Sequence, residues 1–186
     1  ARYTAETIAL AFAVTEEAME DNLYDTFAKL RAKGLARAMA NTKQVKAANI
    51  FNNGFSDTIG DNAAFFSASH PTISDGLQSN LLAASDLAES TLETALTSIQ
   101  KIKDDRGILI GASAVSLHIP VDYWAVADRV LSSPGNTQTS AADANPNTNA
   151  INAVRHMGMV PEGYFINRRL TDTDAWFVKT DVPNGT

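Results

Sequence analysis

The sequence predicts an α+β protein built around one unusually long helix, and three patterns carry that prediction. From Thr15 to about Asn53, apolar residues recur at the spacing of a helix. Residues 1–14 alternate between large apolar side chains and small or polar ones, which is typical of a strand. From residue 81 onward, shorter helical and strand-like segments follow one another, separated by glycine and proline.

The long helix carries recognisable start and stop patterns. Thr15 is the predicted N-cap, and Glu16 and Glu17 place carboxylates at the positive end of the helix dipole. The run Asn52-Asn53-Gly54 is the predicted stop, and Gly34 is the one predicted site of a break. The residues that we expect to pack on the apolar stripe, under a sheet or against a neighbouring copy, are Met19, Leu23, Phe27 and Leu30.

The charges of this helix are segregated along its length. The acidic residues of the first third are Glu16, Glu17, Glu20, Asp21 and Asp25. The basic residues of the rest are Lys29, Arg31, Lys33, Arg37, Lys43 and Lys46. One interpretation is that each end complements the helix dipole, with Asp25 and Lys29 as a favourable pair four residues apart. The other is that the two ends meet opposite charges on identical neighbouring copies.

Composition narrows the class of protein. A length of 186 residues allows one domain or two small ones, and an apolar share of 45% indicates a true core. The net charge of −6 argues against a protein that wraps nucleic acid over most of its surface. The absence of cysteine excludes disulfides and thiolate metal sites. No run of about 18 apolar residues occurs, so no membrane span is predicted.

The second half of the chain is predicted to alternate short helices and strands. Three helical segments are predicted: one capped at Ser85-Asp86 or Ser90 and closed at 104–107, one beginning at Pro120, and one over 151–159. The buried stripe predicted for the first is Leu92, Leu96, Ile99 and Ile102, and the apolar face predicted for the second is Tyr123, Trp124, Ala127, Val130 and Leu131. The strands are predicted at 108–110, 115–119, 164–166 and 175–178. Residues 132–149 are polar and without periodicity, so they are predicted to form a surface loop.

No segment carries the spacing of a catalytic or metal-binding motif. Ser69-His70 is the most tempting pair, but adjacent residues rarely place a base on its nucleophile. Asp104-Asp105 is interpreted as a solvated helix end followed by a turn. The pair Asp172 and Asp174 is interpreted as a turn, because the later ligands of a calcium loop are missing. The histidines show no H-E-x-x-H spacing, and no glycine-rich phosphate loop occurs. We therefore predict no catalytic residue, no cofactor and no metal, and expect that the protein is not an enzyme.

Four segments, in this order, resemble a known family: AVTEEAMEDNLYDTFAKLRAKGLARAMANTKQVKAANIFNNGF, FFSASHP, LAESTLETALTSIQKIKDDRG and PEGYFINRRLTDTDAWFVKTD. Together they resemble the major capsid proteins of tailed phages, in particular the Mu-like prophage major head subunit family, from about Phe12 to Asp181. The resemblance implies the tailed-phage major capsid fold. That fold combines a peripheral domain with a long spine helix, an axial domain, and an extended hairpin arm that reaches over the neighbouring subunit.

The resemblance also implies a division of the chain. Residues 1–14 correspond to the returning strand of the arm, 15–80 to the peripheral domain with the spine helix, and 81–181 to the axial domain. Residues 182–186 correspond to the start of the return to the peripheral domain. The implied inter-subunit contacts of the arm are Ile8, Leu10 and Phe12. The outgoing arm strand and the family's last strands have no counterpart here, so the sequence is expected to be part of a longer protein.

The implied function is structural. Hexamers and pentamers of the subunit would form an icosahedral head in the virion, assembled in the host cytoplasm around double-stranded DNA. The implied partners are other copies, DNA through weak non-specific contact, and portal and decoration proteins, with no membrane. Two alternatives stay open: an encapsulin-like shell loaded with protein, which keeps the fold, and a soluble α+β hydrolase or binding module. Particle mass and the nature of the cargo separate the three.

Overall fold

The structure is a computed structural model that describes residues 6–21, 24–73, 76–135 and 151–182, with the side chains of 24–27 outside the description. It mixes helix and strand, in agreement with the predicted α+β class. The chain divides into two compact units, residues 1–51 and 52–186. The domain boundary at residues 80 and 81 that the resemblance implies stays a prediction.

Two helices form most of the described first unit. They are α1 (Glu16–Glu20) and α2 (Tyr24–Asn52). The predicted N-cap is confirmed, because the Thr15 hydroxyl accepts a hydrogen bond from the Ala18 amide at 3.4 Å. The predicted single helix is interrupted earlier than expected: α1 ends at Glu20 with Asp21 as its C-cap, whereas α2 runs through Gly34 without a break. Aspartate and asparagine side chains compete for backbone hydrogen bonds, and the sequence places both at 21–22.

The strand predicted over residues 1–14 is not formed in its described part. Residues 6–15 hold no strand or helix. A strand needs a neighbour that shares its backbone hydrogen bonds, and no described segment of the chain pairs with this one. Its described attachment to α2 is an ion pair, in which Lys46 Nζ lies 2.9 and 2.8 Å from the two carboxylate oxygens of Glu6. We call residues 6–15 the extension.

The second unit contains the other elements. Its helices are α3 (Glu89–Gln100), α4 (Trp124–Ser132) and α5 (Ala153–His156), and a 3-10 turn, Val121–Tyr123, leads into α4. Its strands are β1 (His70–Pro71), β2 (Leu77–Gln78), β3 (Ala114–Ile119), β4 (Tyr164–Ile166) and β5 (Phe177–Thr180). Strands β1 and β2 form a short antiparallel pair. The other sheet has the order β4-β3-β5, with β3 parallel to β4 and antiparallel to β5.

Strand β3 is the centre of the hydrophobic core. Leu117 and Ile119 on this strand are completely buried. The helices bring small and branched apolar side chains against them, and together they form one cluster with Leu92 and Leu96 of α3, Ala127 and Val130 of α4, and Val154 of α5. The buried stripes predicted for α3 and α4 are therefore confirmed at Leu92, Leu96, Ala127 and Val130. Asn152, also fully buried, joins α5 to α4, because its side-chain amide donates to the Val130 carbonyl.

Helix α3 is bounded differently from the prediction. Neither Ser85-Asp86 nor Ser90 caps it, since the N-cap is Ala88. The hydroxyl of Thr91 takes over the capping role by accepting a hydrogen bond from the Ala88 amide at 2.9 Å. The helix also ends at Gln100 rather than at residues 104–107. The Thr91 side chain, three residues into the helix, satisfies the free amide of Ala88. The helix therefore begins without the cap at Ser85-Asp86 or Ser90 that the sequence pattern predicted.

Residues 104–107 form a separate turn. The Asp104 carboxylate accepts hydrogen bonds from the amides of Arg106 at 2.9 Å and Ile108 at 2.8 Å. Gly107 has φ +83°, a conformation that suits glycine. Of the strand predicted at 108–110, one bridge forms, between Lys103 and Leu109. The turn uses the neighbouring backbone groups for its own hydrogen bonds.

Trp124, predicted on the apolar face of α4, is 55% exposed because it stands at the first turn of the helix, outside the core cluster.

The polar loop predicted over 132–149 lies mostly outside the described residues. Its flanks, Gly135 and Ile151, are joined by an antiparallel bridge.

Truncation of Leu117 tests the position of the core. Because Leu117 is 0% exposed at the centre of β3, Leu117→Ala should lower the free energy of unfolding by about 2–5 kcal/mol. Urea unfolding followed by circular dichroism measures this change. The matched control is Leu109→Ala, at a side chain that is 62% exposed, where a change within about 0.5 kcal/mol is expected. Equal effects of the two substitutions would contradict the assignment of the core.

Candidate assembly surfaces

The extension presents large apolar side chains to solvent. Leu10 is 48% exposed, Phe12 42% and Val14 37%, while Ile8 is half-buried. Because exposed apolar patches on a protein surface commonly mark a place where another surface packs, the extension is a candidate contact surface. Three of these residues, Ile8, Leu10 and Phe12, are the predicted inter-subunit contacts, and their burial against a second copy stays a prediction.

Two of the predicted packing residues of the long helix are described, and both are largely exposed to solvent. Met19 is 57% exposed and Leu30 is 66% exposed. Leu23 and the side chain of Phe27 lie outside the description. The described first unit contains helices and the extension but no sheet, so it offers nothing to lie over these side chains. Burial against a neighbouring copy therefore remains the prediction for this stripe.

One side of α2 is less exposed than the rest. It runs through Ala28, Leu35, Thr42 and Asn49, which are spaced by seven residues and so fall on one face of the helix. The opposite side is basic. At 100° per residue, the residues within an arc of about 120° centred there include Lys29, Lys33 and Arg37. We call these three residues the basic stripe.

The charge of α2 contrasts with that of the chain. The helix holds six basic residues and one acidic residue, a formal charge of +5, whereas the whole chain carries −6. All members of the basic stripe are exposed. The four acidic residues at and just after α1 are exposed as well, and we call this set the acidic turn: Glu16, Glu17, Glu20 and Asp21. The first unit therefore presents surfaces of both signs.

The interpretation of Ser69-His70 as a non-catalytic pair is supported by its geometry. His70 Nδ1 donates to Asp61 Oδ2 at 2.6 Å, and His70 Nε2 is buried with no hydrogen-bond partner among the described residues. The Ser69 hydroxyl instead lies 3.3 Å from the Ser67 hydroxyl. A serine nucleophile needs a hydrogen bond to its base, and among the described residues neither Ser67 nor Ser69 bonds to a histidine.

The Asp61–His70 pair has an electrostatic consequence. The hydrogen bond from His70 holds the pKa of Asp61 below its ordinary value of 3.8, and the Ala63 amide, which donates to Asp61 Oδ1 at 3.1 Å, acts in the same direction. Hydrogen bonds to a carboxylate stabilise its ionised form. The pair joins residues nine apart in the chain and therefore fastens the segment that precedes β1.

The remaining acidic pairs are turns, as predicted. The Asp174 amide donates to Asp172 Oδ1 at 3.3 Å, and the interaction of the two carboxyls lowers the pKa of Asp172 and raises that of Asp174. Asp104 is occupied by the backbone amides of its own turn. Among the described residues, no group of three or more histidine or acidic side chains is placed to hold a metal ion.

A family model described as phage capsid protein matches residues 1–185 of the chain. The chain therefore belongs to the phage capsid protein family. This membership makes it a structural protein of the virion capsid whose copies associate into a shell. No curated protein and no solved structure matches the chain.

Membership of the family confirms the resemblance to phage capsid proteins. Within the described residues, no helix has the length and hydropathy needed to cross a membrane. The apolar side chains that a single copy leaves exposed include those of the extension and of α2.

Protonation of Asp61 provides a test of the loop geometry. Because the folded-state pKa of Asp61 lies below 3.8, the pair stabilises the fold fully above pH 3.8, and that contribution is lost as the pH falls through the lower folded-state pKa. Asp61→Asn should lower the melting temperature near pH 6, and the difference from wild type should close at acidic pH. Thermal melts between about pH 3 and pH 7 measure this.

The control is Asp122→Asn, which removes an exposed carboxylate from the same unit. It should leave the melting temperature near that of wild type throughout. An Asp61→Asn protein that melts like the control at pH 6 would show that the pair does not fasten the loop.

Proposed function

We propose that this protein is the major capsid protein of a tailed phage of the Mu-like head-subunit type. Its copies self-assemble as hexamers and pentamers into an icosahedral head that encloses double-stranded DNA. Membership of the phage capsid protein family supports the structural role. The observation that carries the self-assembly is the apolar extension, whose Leu10, Phe12 and Val14 are between 37% and 48% exposed on a single copy.

The energetic argument rests on burial. Fully burying a large apolar side chain contributes about 1.5–3 kcal/mol relative to leaving it in water. The extension has no strand partner in the described residues, so both its backbone groups and its apolar face remain available. A neighbouring copy that supplied a strand or a groove would satisfy both at once. Because every copy carries the same extension, the contact repeats throughout a shell.

The proposed parts of the capsid fold map onto the observed elements. Helix α2 is the spine helix of the peripheral domain, the extension is the returning strand of the hairpin arm, and residues 81–181 are the axial domain. The continuous 29-residue length of α2 supports the first assignment. The lack of an intramolecular strand partner for residues 6–15 supports the second, since an arm pairs outside its own core.

The proposed partners follow from charge and from the family. Packaged DNA touches the interior weakly and without sequence preference, because a chain of net charge −6 lacks the basic excess needed for tight phosphate binding. Portal and decoration proteins are further proposed partners, and assembly takes place in the host cytoplasm. The protein performs no catalysis in this proposal.

Electron microscopy of the expressed protein tests the proposal. We expect closed particles of megadalton mass by negative staining and sedimentation, with nuclease-resistant double-stranded DNA in particles recovered from phage. Particles that contain only protein cargo would favour the encapsulin-like compartment. A protein that remains a monomer at all concentrations would contradict the capsid role and favour a soluble hydrolase or binding module.

Removal of residues 1–12, which include most of the extension, separates a role in assembly from a role in folding. A protein lacking residues 1–12 should keep its circular dichroism spectrum and its melting transition, because the core cluster lies in the second unit. It should lose particles in sedimentation, because the recurring contact is gone. Intact particles from the truncated protein would contradict the proposal, and loss of the melting transition would place the extension in the subunit's own core.

A further inference from the structure

The sheet of the second unit has an aromatic face opposite the hydrophobic core. Leu117 and Ile119 of β3 belong to the core cluster, so His118 between them lies on the other face of the sheet. Its register partners on the two neighbouring strands are Phe165 of β4 and Phe177 of β5. The rings of His118 and Phe165 are stacked, with their centroids 5.6 Å apart. Each of the three strands therefore places one aromatic ring on this face.

Rings from the segment between α2 and β1 continue this row. The Phe66 ring lies 5.0 Å from that of Phe177, and the Phe65 ring lies 4.8 Å from that of Phe66. The Phe55 ring lies 5.2 Å from that of Phe66 and 6.3 Å from that of Phe177. At these separations aromatic rings attract one another. We call the six rings the aromatic strip: Phe165, His118, Phe177, Phe66, Phe65 and Phe55.

The aromatic strip is uncharged and partly open to solvent on a single copy. Phe55 and Phe165 are each 49% exposed, and Phe65 is 39% exposed. Burial lowers the pKa of His118 below its ordinary value of 6.5, and the charge of Lys179 acts in the same direction, so the imidazole is neutral at neutral pH. Exposed apolar surface of this kind commonly marks a contact with another surface.

We propose that the aromatic strip of one copy receives the extension of a neighbouring copy. This inference rests on the proposed shell and names the surface against which the extension is buried there. The apolar residues of the extension occupy alternate positions, so an extended backbone puts them on one side: Ile8, Leu10, Phe12 and Val14.

The two surfaces match in length. From Ile8 to Val14 an extended backbone spans about 20 Å. From Phe165 to Phe65 the aromatic strip covers two strand spacings and two ring separations, which also amount to about 20 Å. The apolar side chains of the extension can therefore contact the strip along its whole length.

Charge favours the extension over DNA as the occupant of the aromatic strip. The second unit, residues 52–186, holds eight basic and fifteen acidic residues, a formal charge of −7. A unit of that sign repels phosphates. Residues 7–15 of the extension carry no charged side chain, and the carboxylate of Glu6 is paired with Lys46. An uncharged apolar segment therefore meets no such repulsion.

The contact suits a closed assembly. Every copy carries both surfaces, and the two surfaces differ, so the contact is head-to-tail and closes into a ring when the rotation between copies allows it. Each copy then gives one extension and receives another, which buries the same apolar residues throughout the assembly.

Disulfide trapping tests the contact, because the chain has no cysteine of its own and the introduced thiols have no competitors. F12C provides a thiol in the extension. F55C, F65C and F165C, each in a mass-tagged version of the chain, provide thiols along the aromatic strip. The matched control is L109C, at a 62% exposed side chain of the same unit outside the strip. Each tagged variant is co-expressed with F12C and an excess of wild type, so that particles form, and the particles are oxidised.

At least one strip position should give about tenfold more mixed disulfide dimer with F12C than L109C gives, because a disulfide forms only between thiols that the assembly holds close together. A non-reducing gel measures the mixed dimer by its mass. The excess should disappear when the particles are dispersed into subunits before oxidation.

Loss of two rings measures the contribution of the strip independently. F65S/F165S removes two exposed rings, whereas the control I108S/L109S removes two side chains of the same unit that are 63% and 62% exposed. We expect F65S/F165S to give about tenfold less sedimenting protein than wild type, the change that about 1.4 kcal/mol of contact free energy produces. The control should sediment like wild type. Circular dichroism checks that both variants are folded, and should F65S/F165S not fold, disulfide trapping decides alone.

Two results would each overturn the inference: mixed dimers from all three strip positions no more abundant than those from L109C, or folded F65S/F165S that sediments like its control. F65S/F165S particles that form normally but contain less nucleic acid would assign the strip to DNA instead. Wild type that forms no particles would contradict the proposed shell itself. If removal of residues 1–12 abolishes particles while the strip variant assembles, the shell stands and only this contact is overturned.

Discussion

Burial of apolar side chains against β3 sustains the second unit, and the described first unit has no counterpart to this core. Among the residues that the structure describes, every buried apolar side chain except Ala48 lies at residue 87 or beyond. The first unit instead holds a 29-residue helix and an extension whose apolar residues face water. Most helical stability in proteins comes from packing of a face rather than from propensity. In the proposed shell, a neighbouring copy supplies the packing surface for α2 and the extension.

That constraint links the fold to the capsid role. In the proposed assembly, the second unit, which holds the hydrophobic core, folds first, and the first unit supplies contact surfaces. Burial of the extension against a neighbouring copy would then provide free energy that does not depend on the sign of charge.

Local patterns in the sequence predicted a large part of this architecture. The Thr15 cap, the helix end at Asn52, the buried alternation of Leu117 and Ile119, and the helical stripe of Leu92 and Leu96 all depend on neighbours within a few residues. Such features follow from period and capping chemistry alone. Membership of the phage capsid protein family likewise agreed with the ordered resemblance of four segments.

The features that sequence patterns missed depend on competition or on distant partners. The capping of α3 by Thr91 was decided by which of several nearby polar groups captured a backbone amide. The pairing of Asp61 with His70 joins residues whose proximity only the folded loop creates. For the assembly surfaces, the sequence identified apolar residues at Leu10 and Leu30, but a helical or strand period alone does not tell burial within a chain from burial between chains.

Hydrogen–deuterium exchange of the extension tests the central claim most directly, because it reports on the backbone of residues 6–15 before and after assembly. In dispersed subunits these amides should exchange rapidly, since no described strand pairs with them. In purified particles the same peptide should be strongly protected, while peptides of β3 should show the same slow exchange in both samples. Equal, rapid exchange of residues 6–15 in subunits and particles would contradict the account, because the extension would then remain uncovered in the shell.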